Sequence, residues 1–134
     1  MDGMRRLVPV MALALVAALP AASATPRFRA TLTTAGHHPK IVVKWRYTLR
    51  VTDAKGKPLR ARISVQVRDP LGSIHPIPFG RNTTNITNYA IRGTFRDWVN
   101  WPRDSGIGIR LTFRVIVKTA YGRRLLTYWV SPHA

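Results

Sequence analysis

The sequence predicts an all-β protein, an antiparallel sandwich of two sheets with about seven strands. Apolar and polar residues alternate along several segments of the chain, which is the period of a strand with one buried face. Glycine, proline and aspartate recur between these segments, where turns are needed. After the first 24 residues no amphipathic helix of useful length is predicted.

The first 24 residues have the pattern of a secretory signal peptide. Arg5 and Arg6 precede an apolar stretch over residues 7–19, and Ala22-Ser23-Ala24 supplies the small residues of a cleavage site. The apolar stretch of about 13 residues is shorter than the ~20 that a membrane-spanning helix needs. We therefore expect an exported domain of residues 25–134, secreted or associated with the cell envelope, with no membrane span after cleavage.

The strongest strands follow in order along the exported domain. Three segments have a clear inward phase: Val43, Trp45, Tyr47, Leu49 and Val51; then Ala61, Ile63, Val65 and Val67; then Leu111, Phe113, Val115 and Val117. A turn at residues 120–123 leads into a last strand over residues 124–130. Weaker segments cover residues 28–32, 74–79, 84–89 and 93–99, and the prolines within 74–79 make that segment an edge strand or a loop.

Short strands at this spacing favour a sandwich of immunoglobulin or fibronectin type III character, with a small Greek-key barrel as the alternative. The chain also resembles the small secreted bacterial Ig-like domains of uncharacterised function. The residues that carry the resemblance are His38-Pro39-Lys40, Lys44-Trp45, Val51-Thr52-Asp53, Gly56-Lys57-Pro58-Leu59, Trp101-Pro102, Ser105-Gly106, Leu111-Thr112-Phe113 and Tyr128-Trp129-Val130. The resemblance implies a fold and lends no catalytic or binding residues.

The chain has 22 Lys and Arg against 5 Asp and Glu, a formal charge of +17, and no cysteine. Without disulfides an exported domain must be held together by its apolar core, which a chain of this length can form. The missing cysteines exclude thiolate catalysis and iron–sulfur ligation. The charge favours an anionic partner.

Alternation places much of this charge on outward positions of the strands. In an Ig-like sandwich the second and third strong segments are neighbours in one sheet, so their basic residues would share a solvent face. These residues are Arg60, Arg62, Arg68, Arg110, Arg114 and Lys118. Arginine binds phosphate and carboxylate through its planar fork, so we expect this face to bind an anionic polymer.

The positive charge could also have an origin unrelated to a single binding face. Lys44, Arg46 and Arg50 point outward on the second sheet, so the charge could cover the whole molecule. The scarcity of carboxylates could instead be an adaptation to acidic surroundings, because groups that never ionise cannot destabilise the fold when they are protonated. Alternation alone leaves both origins open.

Loop residues offer two further candidate sites. His37 and His38 precede the first strong strand and His75 follows the second, so the three imidazoles would emerge at the same end of a sandwich and could bind copper or zinc. Trp101 lies beside Pro102 in a predicted loop, where it could stack on a ligand. Trp45 has the inward phase and is expected in the core.

The sequence gives little support for catalysis. Asp53, Asp69 and Asp104 have the sequence context of turns, and Asp97, on a strand, is expected beside an arginine. Ser73 and His75 lack the context of a nucleophile elbow. We therefore expect a non-enzymatic binding module without a cofactor. Its expected partner is an anionic cell-wall polymer or another envelope protein, rather than nucleic acid, and a structural envelope protein without a small ligand is the remaining alternative.

Overall fold

The computed structural model describes residues 27–81, 87–104 and 106–134, which form two antiparallel sheets. The predicted signal peptide lies outside this part of the chain. The strands are β1 (Phe28–Thr34), β2 (Lys44–Asp53), β3 (Arg60–Arg68), β4 (Ile74–Pro76), β5 (Tyr89–Arg92), β6 (Thr94–Asn100), β7 (Leu111–Thr119) and β8 (Gly122–Val130). Across these residues no helix is long and apolar enough to span a bilayer.

The smaller sheet has the order β1-β2-β6 and the larger one the order β4-β3-β7-β8. The short strand β5 also pairs with β3, on the same edge as β4 but at the opposite end of the strand. The prediction of an all-β protein with two antiparallel sheets is thus confirmed. The segment 74–79 forms only the three-residue edge strand β4, because Pro76 and Pro78 cannot donate backbone hydrogen bonds.

The core lies between the sheets and contains most of the residues with the predicted inward phase; the exceptions are Val43, which precedes β2 and is 48% exposed, and Leu111, which is half-buried. Leu49, Ile63 and Phe113 are among the side chains that are fully buried there. Trp45 is also buried and packs edge-on against the Phe113 ring, with 5.0 Å between the centroids. The alternation therefore identified the buried face of β2, β3 and β7 correctly.

A single glycine takes the chain from the larger sheet to the smaller one. Gly93 separates β5 from β6 and has a φ of +71°, a backbone conformation that residues with a Cβ rarely adopt. A Cβ at this position would also lie 2.8 Å from the side chain of Pro58. The crossing brings basic residues of β5 and β6 to the same edge of the sandwich.

The chain segment directly after β8 pairs with the loop that precedes β2. The backbone N–H of Ser131 donates to the carbonyl of His37, and the N–H of Ile41 donates to the carbonyl of His133, at 2.6 and 2.9 Å. Pairing of this kind protects an edge from association with other strands.

Candidate functional site

Positive charges lie side by side at one end of the outer face of the larger sheet. The strand register places Arg62 of β3 opposite Lys118 of β7, and Lys118 opposite Arg123 of β8. Side chains directly opposite each other in antiparallel strands share a face, with Cβ atoms about 4.5–5.5 Å apart. The three exposed cations therefore form a row across three adjacent strands.

A second pair of cations lies beside this row. Arg60 of β3 is directly opposite Arg92 of β5, and both are exposed. A cleft of about 740 Å³ is lined by Arg60, Arg62, Arg92 and Lys118, with Ala90 and Ala120 among its walls. The small alanines leave the cleft open between the cationic side chains. We call Arg60, Arg62, Arg92, Lys118 and Arg123 the basic cluster.

Within the described ranges, no carboxylate neutralises the basic cluster. The one ion pair found in the same ranges joins His75 to Asp69, at 2.9 Å. Arg62 instead donates from Nη1 to the backbone carbonyl of Asn88, at 3.2 Å, a contact that orients its guanidinium without changing its charge. Like charges directly opposite each other in a sheet are destabilising, so the cluster stores electrostatic repulsion that a bound anion would relieve.

The six basic residues predicted for one face divide into two groups. Arg60, Arg62 and Lys118 belong to the basic cluster, and a row containing Ser64 and Ile116, each 8% exposed, separates them from Arg68, Arg114 and Arg110. Arg68 lies about 20 Å from Arg62, six residues further along β3.

The other two members of the distant group are less available to a ligand than expected. Arg114 is half-buried, and its Nε is inaccessible and has no hydrogen-bond partner among the described residues. Arg110 precedes β7 and lies over the ring of Trp129, with 4.0 Å from its Cζ to the centroid. The structure thus gathers half of the predicted residues at one point and leaves the others at the far end of the sheet.

Two residues of the basic cluster were absent from the prediction. Arg123 was expected in a turn, but the turn consists of Ala120 and Tyr121 alone, so Thr119 pairs with Gly122 and Arg123 faces Lys118. The signal for this register was Gly122 directly after the two loop residues, where the chain takes a positive φ as it enters β8. Arg92 was missed because β5 is only four residues long and lacks strong alternation.

The three histidines do not come together, so the convergence that the metal hypothesis required is not found. His37 stacks on Trp129 at the β8 edge, with 3.8 Å between centroids, and on Tyr128 at 4.2 Å. His75 lies on β4, at the opposite edge of the larger sheet, where it contacts Asp69. His38 is near Trp129. Three strand spacings, about 14 Å, separate the two edges. Among the described residues no group of three or more metal-ligating side chains is present.

Trp101 is a core residue and not a surface platform. Its side chain is 3% exposed and packs edge-on against Trp45, with 5.7 Å between centroids. The expectation of an exposed stacking residue was therefore wrong, because the residue after β6 continues to cover the core between the sheets. The indole N–H of Trp101 has no hydrogen-bond partner in the part of the chain that the structure describes.

Two carboxylates hold turns. Asp53 accepts hydrogen bonds from the backbone N–H groups of Lys57 and Lys55, both at 2.9 Å, and these bonds lower its pKa. The pKa of Asp69 is lowered chiefly by the hydrogen bond from His75 and then by the N–H of Ser73. The turns explain why these two acids are present in so basic a chain.

The lowered pKa values predict a specific acid sensitivity. A carboxyl that is more acidic in the folded state stabilises the fold above its unfolded pKa of about 3.9, and loses this contribution as the pH falls through the folded pKa. We expect the melting temperature of the wild type to exceed that of Asp53→Asn/Asp69→Asn near pH 7, and the difference to shrink between about pH 5 and pH 3. Thermal unfolding at each pH measures it. A difference that does not change with pH would contradict the assignment.

The third carboxylate, Asp97, is buried between the sheets. It accepts hydrogen bonds from the Tyr47 hydroxyl at 3.2 Å and from the backbone N–H groups of Gly80 and Arg81, both at 3.0 Å. Burial, together with the nearby charge of Asp97, raises the pKa of Tyr47, so this hydroxyl remains a donor. Asp97 was expected beside an arginine side chain, but the structure turns it inward to bind backbone.

No protein-family model and no curated protein matches this chain. A search of solved structures finds similarity to the crystal structure of a DUF4466 family protein from Parabacteroides merdae ATCC 43184, with a TM-score of 0.44 and 12% sequence identity. The alignment covers 82% of this chain and 45% of that protein, so this chain spans less than half of its length.

Proposed function

We propose that this protein is an exported, non-enzymatic binding module of the cell envelope that binds an anionic polymer through the basic cluster. The observation that carries the proposal is the row Arg62–Lys118–Arg123, in which three cations oppose one another with no neutralising carboxylate among the described residues. Arginine and lysine in such a row bind phosphate or carboxylate groups with charge-assisted hydrogen bonds.

We also propose an immunoglobulin-like or fibronectin type III-like topology for the domain. The support is the strand order, with the first, second and sixth strands in one sheet and the third, seventh and eighth adjacent in the other. In this arrangement the third and seventh strands are central neighbours, and both contribute to the basic cluster.

Polymer binding is favoured over a charge spread evenly over the surface because the cluster is local. Arg60 and Arg92 oppose each other, as do Arg62 and Lys118, although a pair of like charges at such positions costs stability. A protein that only needed a positive surface would be more stable with the same charges staggered. Export to the envelope would expose the cluster to phosphate-bearing and acidic polymers.

The proposal is tested by binding to long-chain polyphosphate and to heparin at increasing salt concentration. The affinity should fall steeply with salt, since each neutralised phosphate releases counterions. Charge reversal in Arg62→Glu/Lys118→Glu should weaken binding by roughly a hundredfold, at about 1.4 kcal/mol for each tenfold step.

The control is Arg68→Glu, which reverses a charge on the same strand and face but about 20 Å from the cluster. It should reduce affinity by no more than a few-fold, because only long-range screened repulsion changes. Equal losses at Arg62 and Arg68, or binding that does not respond to salt, would show that the cluster is not the binding site.

A further inference from the structure

The basic residues continue around the edge of the sandwich on the other side of β5. A second cleft of about 330 Å³ lies between β5 and β6 and is lined by Arg81, Arg92 and Arg96, with Tyr89 and Phe95 among its apolar walls. Ala90, Ile91 and Arg92 line both this cleft and the one at the basic cluster. Arg92 therefore connects two positively charged clefts that open on different sides of one short strand.

Hydrogen bonds from both the backbone and the side chain of Arg81 hold this residue in place at the second cleft. Its N–H donates to Oδ1 of the buried Asp97, at 3.0 Å, and its Nε donates to the carbonyl of Arg96. The preceding Gly80 packs so closely on Trp98 that an added Cβ would overlap the indole ring. The Arg81 guanidinium is thus fixed beside Arg96, so less conformational entropy is lost when it binds an anion.

Beyond Trp98 the cations continue onto the outer face of the smaller sheet. The Lys44 Nζ lies 4.3 Å from the centroid of the Trp98 ring, and Arg81 Cζ lies 5.9 Å from it. Arg46 is directly opposite Trp98 across the β2–β6 pair. We call the whole path the basic track, which consists of the basic cluster together with Arg81, Arg96, Lys44 and Arg46.

We propose that the basic track binds a single flexible chain of phosphate groups, which passes from the larger sheet around the β5 edge to the smaller sheet. This inference rests on the proposed function and specifies its ligand. Seven of the nine cations are arginines, whose planar fork pairs with phosphate oxygens in a bidentate way. The carboxylate that contacts the backbone of Arg81, Asp97, is buried and directs its oxygens to backbone N–H groups and to Tyr47.

The dimensions of the track require a chain rather than a compact anion. With strands about 4.8 Å apart and sheets about 10 Å apart, the path from Arg123 on β8 to Arg46 on β2 is about 29 Å long. At about 3.4 Å per phosphate along one strand, roughly nine phosphates span it. Double-stranded DNA has a persistence length of about 150 base pairs and cannot bend around so small an edge. The occupant is therefore a flexible single chain.

The experiment compares two probes, tripolyphosphate and a polyphosphate chain several times longer than the track. Wild-type protein should bind the long chain more tightly and with a steeper salt dependence, because more phosphates are neutralised at about 0.7 counterion each. The edge variant Arg81→Ala/Arg96→Ala should weaken binding of the long chain by at least tenfold and leave tripolyphosphate within twofold. The cluster variant Arg62→Ala/Lys118→Ala should weaken both.

Arg68→Ala/Arg110→Ala removes the same charge away from the track and should change neither affinity by more than twofold. Circular dichroism and thermal unfolding of each variant verify that the fold is intact. If the edge variant loses affinity equally for both probes, or loses none for the long chain, the proposal that one chain follows the basic track is wrong. If wild-type protein binds neither probe, the proposed function itself fails.

Two further probes distinguish the sources of the phosphate chain. If a single-stranded oligonucleotide binds as tightly as long polyphosphate, the track accepts any chain of phosphate groups. If the oligonucleotide binds more weakly, the preferred ligand is a phosphate chain that carries no bases. Both results agree with the track. A DNA duplex that binds as tightly as the single strand, with the same loss in Arg81→Ala/Arg96→Ala, would overturn it, because a duplex cannot follow the edge.

Discussion

Asp97→Ala is expected to lower the free energy of unfolding by about 3 kcal/mol, because it leaves buried hydrogen-bond donors without an acceptor. Asp97 is 3% exposed and accepts bonds from the Tyr47 hydroxyl and from the N–H groups of Gly80 and Arg81. The same substitution should weaken binding of long polyphosphate, since Arg81 loses the contact that fixes its backbone. Tripolyphosphate binding at the basic cluster should be unaffected.

Urea unfolding followed by circular dichroism measures the stability change, and two milder variants test its cause. Tyr47→Phe removes one donor and its bond, and should cost about 1 kcal/mol. Asp97→Asn keeps one acceptor oxygen but turns an amide N–H₂ toward a donor, so its cost should lie between those of the other two. If Asp97→Ala changes stability by less than about 0.5 kcal/mol, within the range of ordinary surface substitutions, the carboxylate does not hold this segment.

The position of Asp97 shows what alternation predicts and what it does not. Asp97 is in phase with Phe95 and Val99, and all three are buried. The phase therefore placed the side chain between the sheets, but a lone carboxylate in a basic chain suggested an arginine partner. Its actual donors are the Tyr47 hydroxyl on β2 and the backbone N–H groups of residues 80 and 81, which lie outside any strand. Loop conformations of this kind carry no periodic signal.

The length of each strand decided how well it was predicted. β2, β3 and β7 have nine or ten residues with long alternation, and their inward phase was identified correctly. β5 has four residues and ends at Arg92, before the glycine at which the chain changes sheets. Its sequence has three apolar residues before the arginine and therefore does not show the alternation of a half-buried strand. The segment expected over residues 84–89 falls partly on residues 82–86, outside the described part of the chain.

The basic site was harder to predict than the fold because it depends on register. Outward positions are readable from alternation, but which cations oppose each other depends on turn lengths. The difference between a four-residue and a two-residue turn moves Arg123 from the loop to a position opposite Lys118. The separation of Arg62 from Arg68 along β3 was visible in the sequence. The buried row between them was not visible. Ser64 accepts a hydrogen bond from the backbone N–H of Asn88, which directly precedes β5 and is distant in the sequence.

The structure also bears on whether adaptation to acid accounts for the charge. Asp53, Asp69 and Asp97 all accept hydrogen bonds from backbone N–H groups in the folded state. Carboxylates bonded in this way make a fold less stable when they are protonated. A chain adapted only to low pH would gain by replacing them. Their retention at structural positions, while no described carboxylate lies beside the basic cluster, favours binding as the reason for the local charge.

Trp45→Ala is expected to have the largest effect of any single substitution in the core, about 3–5 kcal/mol. The indole fills the space between Phe113 and Trp101, and its N–H donates to the carbonyl of Gly36, at 2.9 Å. The melting temperature should fall by about 15 °C for a domain of this size. Trp45→Phe should cost about 1–2 kcal/mol, since it keeps most of the apolar volume but loses the hydrogen bond.

A double-mutant cycle of Trp45 and Trp101 tests whether Trp101 is a core residue, as the structure shows, or a surface platform. As a core residue in contact with Trp45, it should show a coupling energy of at least about 0.5 kcal/mol in Trp45→Ala/Trp101→Ala, because both substitutions empty one connected space. Trp101→Ala alone should cost about 3 kcal/mol in urea unfolding and leave polyphosphate binding unchanged at temperatures where the variant is folded. A surface platform would give the opposite pattern, with little loss of stability and no coupling to Trp45.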